Sequence, residues 1–356
     1  MGKEIQILGA GLSGMVAAIN LAKQGYEVTI LDRSAGIGGS ETLHPSVHGT
    51  PVRKERTWGY VGIDLSSCFH TPQDIRFYFG SNGYRIPAGE AYEVYAVERG
   101  NRASSIDSFL YQKAQELGIR FEFSRDIKSH QELTAGSIIA SGLFPEMYDS
   151  LQVPSVKVHC YMLQFETDKP TEIVGYFDNY IGDYYYHGVV NGILFGLLFQ
   201  RKPFPRDALK RCQEFLKERE GLPIEDWTFM PVWVPVASIR NPRLFAEDKI
   251  LAGTISGMMD PVMLFGIVGA ILSGKIAALA VYDRDQAIRD FRFYTRNWRR
   301  NYINRKIFER LPFRAKILEW IMFSGSERLR RSFLQSGKLA IPGVESYPVM
   351  KNIDKL

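Results

Sequence analysis

The stretch "ILGAGLSGMVAAINLAKQGYEVTILDRSAGIGG", which begins at Ile7, constrains the fold more than any other part of this 356-residue chain. Apolar runs at residues 5–8 and 27–31 have the length and β-branched content of short buried strands. Between them, residues 11–24 carry apolar side chains at helical spacing. The sequence therefore predicts a β-α-β unit, which is typical of α/β folds.

Three glycines follow the first predicted strand in the pattern G-x-G-x-x-G: Gly9, Gly11 and Gly14. The first allows a tight turn, the second lets a pyrophosphate approach the backbone, and the third lets the helix pack on the strand. Asp32 ends the second strand, where a carboxylate accepts hydrogen bonds from ribose hydroxyls. This combination predicts a dinucleotide-binding site.

The residues after Asp32, "RSAGIGG", bear on which dinucleotide binds. A basic residue, Arg33, is followed by a pair of glycines, Gly38 and Gly39. This pattern is common in FAD proteins, where the chain runs back along the cofactor. We therefore predict FAD rather than NAD, with Arg33 and Gly39 beside it.

Composition limits the class of protein. A content of 45% hydrophobic residues supports a large core. Three cysteines, Cys68, Cys160 and Cys212, lie far apart without C-x-x-C spacing, which argues against a disulfide framework and against a zinc or iron–sulfur site. Because residues before Ile7 leave no room for a signal peptide, we expect a cytoplasmic protein. From the cysteine spacing we expect no metal centre.

The longest apolar run, "MLFGIVGAILSG" with its continuation to Val281, is preceded by Asp260 and interrupted by Lys275. A membrane-spanning helix needs about 20 uninterrupted apolar residues. We therefore predict a buried core helix here and no transmembrane helix.

The rest of the chain predicts a discontinuous arrangement. Residues 42–56, rich in His, Pro and Gly, are predicted to be a long loop. Residues 107–117 and 206–220 are predicted helices, and residues 157–199 alternate aromatic and β-branched side chains as antiparallel strands that wall a cavity do. We predict an α/β fold: a Rossmann-like FAD-binding domain (1–65, 95–150 and 240–285), an inserted antiparallel β-sheet substrate domain (66–94 and 151–239), and a basic helical C-terminal segment (286–356).

Three stretches carry a resemblance to a known family: "VERGNRASSIDSFLYQKAQELG", "SIIASGLFP" and "LAGTISGMMDPVMLFGIVGAILSGKIAA". Together with the N-terminal glycines they resemble the geranylgeranyl-reductase-type flavoproteins, which belong to the wider group of FAD enzymes that includes p-hydroxybenzoate hydroxylase. The resemblance implies further contacts to FAD from Arg99, Gly142, Gly253, Thr254, Asp260, Gly266 and Ile267.

Two positions depart from the family pattern. Thr254 stands where the family usually has the Asp that bonds the ribityl chain, and a hydroxyl is a weaker partner than a carboxylate. Leu264 and Phe265 replace the usual Gly-Glu. The backbone N–H groups at Gly266 and Ile267, at a predicted helix start, would still stabilise negative charge on the flavin ring.

Candidates for proton transfer lie in two segments. By resemblance, the loop after Gly39 passes beside the flavin, and it offers His44 and His48, which suit acid–base work near neutral pH; either could instead cap a turn. The stretch "YIGDYYYHGVV" offers Tyr184, Tyr185, Tyr186 and His187. Because strand side chains alternate, about half of these face a cavity; Tyr185 and His187 are our candidates after His48.

The resemblance implies reduction or dehydrogenation of a carbon–carbon double bond in a hydrophobic substrate, such as an isoprenoid or another lipid. An aromatic monooxygenase and a flavin- or lipid-binding protein without turnover are the alternatives. The sequence shows no second dinucleotide fingerprint, so the electron donor would be NAD(P)H bound transiently, or a ferredoxin.

The C-terminal segment is strongly basic, with fourteen Lys or Arg and five Asp or Glu between residues 284 and 331. Interleaved aromatic and aliphatic side chains fit two structures: a helical cap on the cavity, or an amphipathic surface that contacts the inner face of an anionic membrane. We expect no nucleic-acid partner, because no recognition fold is evident.

Overall fold

The structure of the chain is a computed structural model that describes residues 3–40, 42–86, 93–222, 226–311, 313–324 and 354–355. The strands in this part of the chain are β1 (Glu4–Leu8), β2 (Glu27–Leu31), β3 (Ser46–Pro51), β4 (Asp74–Phe79), β5 (Asn82–Ile86), β6 (Val94–Arg99), β7 (Arg120–Glu122), β8 (Ile138–Ile139), β9 (Val156–Glu166), β10 (Glu172–Phe177), β11 (Tyr184–Val190), β12 (Ile193–Gln200), β13 (Thr228–Val234), β14 (Phe245–Ala246), β15 (Lys249–Leu251) and β16 (Asp354–Lys355).

The helices in the same part of the chain are α1 (Leu12–Ala22), α2 (Lys54–Val61), α3 (Ile106–Glu116), α4 (Pro145–Ser150), α5 (Ala208–Phe215), α6 (Ile267–Tyr282), α7 (Arg284–Thr295), α8 (Trp298–Phe308) and α9 (Arg314–Glu319). A π-helical turn, Leu216–Glu220, continues α5. The helix predicted over 206–220 is therefore α-helical in its first part and π-helical in its second.

A six-stranded sheet in the order β14-β15-β8-β1-β2-β7 forms the first layer. All neighbouring strands in it are parallel except β14 and β15, which form an antiparallel pair. Helices α1 and α6 are buried along most of their length and pack together in the main apolar core. The predicted β-α-β unit and the predicted buried core helix are both confirmed.

An eight-stranded sheet in the order β13-β9-β12-β11-β10-β4-β5-β16 forms the second layer. Strands β9 to β12 pair antiparallel, as the alternation over 157–199 predicted, whereas β10 and β4 are parallel. Strands β4 and β5 come from the segment 66–94, so both predicted parts of the substrate domain supply strands to one sheet.

The prediction of a long loop over 42–56 is wrong for more than half of its length. Strand β3 pairs antiparallel with β6 along its whole length, and α2 begins at Lys54. Val47 and Thr50 are buried on this ribbon. Its partner strand lies more than 40 residues further along the chain, so the local sequence could not indicate the pairing. The His, Gly and Pro residues of the segment are typical of a loop and led to the wrong prediction.

Helix α7 packs against α6 in the main apolar core, whereas α8 and α9 lie beside the second sheet. Trp298 of α8 is buried and donates a hydrogen bond from Nε1 to the Met259 carbonyl at 3.0 Å. Ala315 and Leu318 of α9 belong to the same apolar cluster as Phe177 and Phe199 of the sheet. The described part of the basic segment thus covers an apolar face; residues 312, 325–353 and 356 of the predicted segment lie outside the described residues.

Candidate cofactor site and substrate cavity

The turn between β1 and α1 is built by glycines in close contact with backbone. Gly9 has φ +110°, which L side chains rarely adopt, and its N–H donates to the Leu31 carbonyl at 2.8 Å. A Cβ at Gly14 would lie 1.9 Å from the Gly9 carbonyl oxygen. Both positions therefore require glycine, and they draw the first turn of α1 tightly onto the sheet edge.

The start of α1 fits an anionic group. A Cβ built on Gly11 would have no atom within 4 Å, so this side of the turn is open. Among the described residues no side chain caps the helix at Gly11, which leaves the first N–H groups available to a phosphate. Nearby in the fold, beyond the end of β8, the buried Ser141 Oγ also has no hydrogen-bond partner among the described residues.

Asp32 lies half-buried at the end of β2 and is oriented by two backbone amides. Its carboxylate accepts from Ala10 N at 2.7 Å and from Ser34 N at 2.8 Å. A carboxylate oxygen can accept more than one hydrogen bond, so both retain capacity for ribose hydroxyls. The position and orientation fit the predicted contact.

Three further predicted residues lie near this sheet edge or the segment that follows it. The Arg33 guanidinium stacks 3.3 Å from the centroid of the Phe144 ring and lies 3.7 Å from the Glu146 carboxylate. Gly142, directly after Ser141, has open space on its Cβ side, whereas Gly39 adjoins the His44 ring. Arg33 is thus held against α4, on the side of the sheet where Asp32 lies.

A second group of predicted residues continues from α1 towards α6. A Cβ at Gly253 would lie 2.4 Å from Ser13 Oγ of α1, and the Gly253 N–H donates to Ser273 Oγ at 2.7 Å. Thr254 follows, and it lines a large cavity together with Gly266 and Ile267 at the start of α6. The two groups of glycines therefore form one continuous row from Asp32 to this cavity.

Asp260 stabilises the loop that precedes α6. Its buried carboxylate accepts from Val262 N at 3.0 Å and Met263 N at 2.6 Å. Burial raises the pKa of Asp260 to about 6. Leu264, where the family usually has glycine, adopts φ +61° in this loop, a conformation that costs a non-glycine residue about 1–2 kcal/mol.

The cavity has a volume of about 610 Å³ and lies between the second sheet, the β3–β6 ribbon and helices α6, α8 and α9. Its walls are mainly aliphatic and aromatic, and they include Phe77, Ile173, Phe177, Leu197, Phe199 and Met259. A volume in this range is typical of small-molecule sites. The lining favours a hydrophobic ligand.

His48 lines this cavity and belongs to a chain of hydrogen bonds. His44 Nδ1 lies 2.8 Å from Ser46 Oγ, which lies 2.9 Å from His48 Nε2; His48 Nδ1 lies 3.3 Å from the Tyr186 hydroxyl. Burial and the nearby Arg99 guanidinium lower the pKa of His44 to about 4 and that of His48 to about 3. Both imidazoles are therefore neutral at pH 7.

Arg99 also borders the cavity, but its guanidinium is paired. Its Nε and Nη2 donate to the two oxygens of Asp107, at 2.7 and 2.9 Å. The Asp107 carboxylate also accepts from Gly100 N at 3.0 Å. This bidentate pair joins β6 to α3 and fixes the positive charge beside the histidine network.

Tyr185 and His187, two candidates from the sequence, lie on the other face of β11 and do not line the cavity. The Tyr185 hydroxyl lies 3.1 Å from His187 Nδ1, and His187 Nε2 lies 3.5 Å from the Glu172 carboxylate. The cavity receives Tyr184 and Tyr186 instead. The sequence showed the alternation correctly, but it did not show which of the two sets faces the ligand.

The carboxylates beside His187 are paired with an arginine. Glu172, His187 and Glu220 place possible ligand atoms within 4.8 Å of one another. The Arg76 guanidinium donates to both Glu172 and Glu220 at 2.7 Å and also pairs with Asp74. A guanidinium at this position repels a metal cation, and the cluster links β4 and β10 to the end of the π-helical turn.

Comparison with known proteins begins at the N-terminus. Residues 7–58 match the family model of the NAD(P)-binding Rossmann-like domain. The phytoene desaturase (neurosporene-forming) of Rhodobacter capsulatus is 34% identical over 107 residues, which cover 27% of this chain and 19% of the relative. The carotenoid 3,4-desaturase of Haloarcula japonica is 22% identical over 267 residues, or 63% of this chain and 52% of the relative.

The match to solved structures extends over nearly the whole chain. A geranylgeranyl bacteriochlorophyll reductase-like protein from Thermoplasma acidophilum superposes with a TM-score of 0.67 at 15% identity, covering 98% of this chain and 95% of its own. The chain therefore shares the fold of this protein. The row of glycines from Asp32 to Ile267 lies along one edge of the Rossmann-like sheet.

Two further structures share the fold. A 2-methyl-3-hydroxypyridine-5-carboxylic acid oxygenase gives a TM-score of 0.65 at 12% identity over 99% of this chain and 100% of its own. CtdE, solved in complex with FAD, gives 0.60 at 12% identity over 96% and 99% of the two chains. Within the described residues, no helix is long and apolar enough to cross a membrane.

Proposed function

We propose that this chain binds one FAD without a covalent bond and uses it for redox chemistry on a hydrophobic substrate. The observation that carries the proposal is the row of residues that runs from Asp32, past the open side of Gly11 at the start of α1, to Thr254, Gly266 and Ile267 at the cavity. FAD is an elongated molecule with a pyrophosphate at its centre, and this row offers a ribose partner, a phosphate site and a cavity in that order.

Different residues would bind different parts of the cofactor. Asp32 would accept hydrogen bonds from the adenosine ribose, and the first N–H groups of α1 would hold the pyrophosphate. Thr254 would bond the ribityl chain, and the start of α6 would stabilise negative charge on the ring. When bound, the flavin supplies transfer of a hydride equivalent to or from carbon.

The substrate proposed is a hydrophobic molecule with a carbon–carbon double bond, such as an isoprenoid, and the reaction is reduction or dehydrogenation of that bond. The apolar cavity supports this choice. So do the desaturase names of the two sequence relatives and the reductase-like name of the structural neighbour. NAD(P)H or a ferredoxin is the proposed source of electrons.

Proton transfer is assigned to the cavity face of β11 and β3. Burial raises the pKa of the Tyr186 phenol, so it is protonated and available as a donor in the cavity. His48 and Ser46 connect it to His44, and a neutral imidazole passes a proton by accepting at one nitrogen and donating from the other. His48 therefore serves as a relay behind Tyr186, because its pKa of about 3 leaves almost no imidazolium at pH 7.

One observation favours an alternative. The oxygenase with the same fold is covered along 100% of its chain, so the fold also supports oxygenation of an aromatic substrate. A flavin- or lipid-binding protein without turnover is the third candidate, because Thr254 offers a weaker partner than a carboxylate.

The first experiment is purification of the full chain and measurement of its absorption spectrum. FAD binding predicts a yellow protein that releases FAD on denaturation. The reduced protein is then mixed with polyprenyl alkenes without oxygen, or with oxygen and phenols. Reoxidation by the alkene supports the reductase, and a hydroxylated phenol supports the oxygenase. Colourless protein that does not take up FAD would refute the proposal. If the protein binds FAD but no electron donor reduces it, the remaining candidate is the binding protein without turnover.

We also propose that helices α8 and α9 dock on an anionic membrane surface. Five large hydrophobic side chains, which we name the apolar patch, are exposed there: Ile303, Ile307, Leu311, Phe313 and Trp320. Clustered exposed apolar side chains are typical of binding surfaces. Basic side chains lie among them, namely Arg299, Arg300, Lys306, Arg310 and Lys316.

The patch adjoins the cavity. Ile307 is 56% exposed and Leu311 is 38% exposed, and both also line the cavity. A hydrophobic substrate would therefore pass from the bilayer to the cavity between α8 and α9 without crossing water. The positive charge of the patch favours anionic lipid as the partner.

A further inference from the structure

Two polar side chains that border the apolar cavity have atoms without hydrogen-bond partners among the described residues. Asn301 of α8 is 1% exposed, and neither its Nδ2 nor its Oδ1 has a hydrogen-bond partner among the described residues. Asp183, just before β11, likewise leaves its buried Oδ2 without a hydrogen-bond partner in that part of the chain. Both residues line the cavity. Buried polar groups are almost always satisfied, so these atoms indicate a missing partner.

The two side chains lie at one corner of the cavity, on either side of Arg305. The Arg305 Nη2 lies 2.7 Å from Asp183 Oδ1. Asn301 precedes Arg305 by one helical turn, and residues four apart are neighbours on a helix surface. The corner therefore presents an amide, which donates and accepts, and a carboxylate oxygen, which only accepts.

The arginines at this corner are paired with anions or carbonyls, but not every donor is used: Arg305 Nη2, although close to Asp183, and Arg201 Nε make no hydrogen bond among the described residues. Arg314 lies 3.5 Å from Asp183 Oδ1. Arg305 Nε donates to Glu309 at 2.9 Å, and Arg201 donates to Glu309 at 2.8 Å and to the Pro261 and Val262 carbonyls. Burial raises the pKa of Glu309, but the two arginines outweigh it and lower the pKa to about 2. A ligand anion would find these N–H donors but would also face the carboxylate of Asp183, whereas a hydroxyl can donate to that carboxylate.

We propose that the substrate of this cavity carries a hydroxyl group that binds at Asn301 and Asp183. This inference deepens the proposed function and rests on it: the substrate becomes an apolar alcohol rather than a hydrocarbon or a lipid acid. The hydroxyl donates to the free carboxylate oxygen or to Asn301 Oδ1 and accepts from Asn301 Nδ2. An ether keeps the acceptor and loses the donor, whereas a carboxylate places two like charges together.

The test compares three probes with the same hydrocarbon chain: farnesol, farnesyl methyl ether and farnesoic acid. Binding to the full chain is measured by equilibrium dialysis with mass-spectrometric detection, and FAD content is read from the absorption of the same samples. We expect farnesol to bind at least about 10-fold more tightly than the ether and the acid, because a site built for a hydroxyl leaves buried groups unpaired with its analogues.

The matched variants are Asn301→Leu and Asn304→Leu. Both residues are on α8 and line the cavity, but Asn304 is exposed. Asn301→Leu should abolish the preference for the alcohol, and Asn304→Leu should retain it. If Asn301→Leu does not fold, the three probes on the unchanged chain still decide.

Equal binding of alcohol and ether would show that only water satisfies these groups and would overturn the inference. The inference would also be overturned if the acid bound most tightly or if none of the three probes bound. If the unchanged chain holds FAD but shows no preference for the alcohol, only the inference is refuted. A preference for the alcohol in protein that lacks FAD refutes the redox proposal and leaves the hydroxyl site standing.

Discussion

Tyr185 and Tyr186 are neighbours in β11, yet their environments differ completely. Tyr186 faces the cavity and lies 3.3 Å from His48, whereas Tyr185 is buried on the opposite face against His187. Successive side chains of a strand point to opposite faces. The chemistry of this strand therefore depends on which of its two faces is turned to the cavity, and the elements packed on each face determine this.

Replacing Tyr186 tests the proton route. Tyr186→Phe and His48→Ala should leave FAD content unchanged and slow substrate-dependent reoxidation of the reduced protein by about 10²–10⁴-fold, the usual contribution of a positioned acid. Tyr185→Phe is the control and should keep normal rates. Full activity in Tyr186→Phe, or an equal loss in Tyr185→Phe, would mean that protons reach the substrate by another route.

The two half-buried histidines, His44 and His48, predict a loss of stability in mild acid. Their pKa values are about 4 and about 3 in the folded chain, against 6.5 ordinarily, so between pH 6.5 and 4 the unfolded chain binds protons that the folded chain does not. Stability present above pH 6.5 is therefore lost as the pH falls. Each histidine contributes up to about 1.4 kcal/mol per pH unit.

Asp260 acts in the opposite direction, because its pKa of about 6 lies above the ordinary 3.8 and the folded chain gains a proton as the pH falls. The histidine effect is therefore measured by comparing variants. Urea unfolding of His48→Gln between pH 6.5 and 4.5 should show a slope smaller by about one proton than that of the unchanged chain. An unchanged slope would show that His48 titrates normally in the folded state.

At the scale of elements, local patterns were reliable and distant pairings were not. The β1-α1-β2 unit lies within 31 residues, and its strands, glycines and acidic residue were all predictable from sequence. Strand β3 was missed because its partner β6 is remote, and the Asn301 corner was missed because α8 and the residues before β11 meet only in the folded chain. Hydrophobic periodicity carries no information about which distant segments pair.

Two glycines of the same turn separate fold from binding. Gly14→Ala places a Cβ 1.9 Å from the Gly9 carbonyl, so the turn cannot close and the protein should lose both FAD and thermal stability. Gly11 has φ −81° and open space around its Cβ position, so Gly11→Ala should keep the unfolding temperature but bind FAD more weakly, because the methyl group occupies space proposed for the pyrophosphate. Unaltered FAD affinity in Gly11→Ala would place the phosphate elsewhere.

For the whole molecule, the cavity is complete only with segments from every part of the chain. The β3–β6 ribbon, the second sheet, the loop before α6 and helices α8 and α9 all contribute lining residues. The sequence left two readings of the basic C-terminal segment open, a cap on the cavity or a membrane surface. Helix α8 has two faces: Trp298 and Asn301 are buried, while Ile303 and Ile307 are exposed, so one helix carries both features.

The membrane surface is tested with vesicles. The full chain should co-sediment with phosphatidylglycerol vesicles, bind pure phosphatidylcholine weakly, and dissociate as salt rises, because the attraction of basic residues to anionic lipid is screened. Phe313, 65% exposed, should insert its ring, so Phe313→Glu should weaken binding by about 10-fold or more, as expected from losing burial of a large apolar side chain. Phe229→Glu is the control, since Phe229 is 48% exposed on β13, outside the apolar patch. Equal weakening by both variants would indicate a general charge effect, and a dimer in solution that Phe313→Glu dissociates would assign the patch to self-association instead.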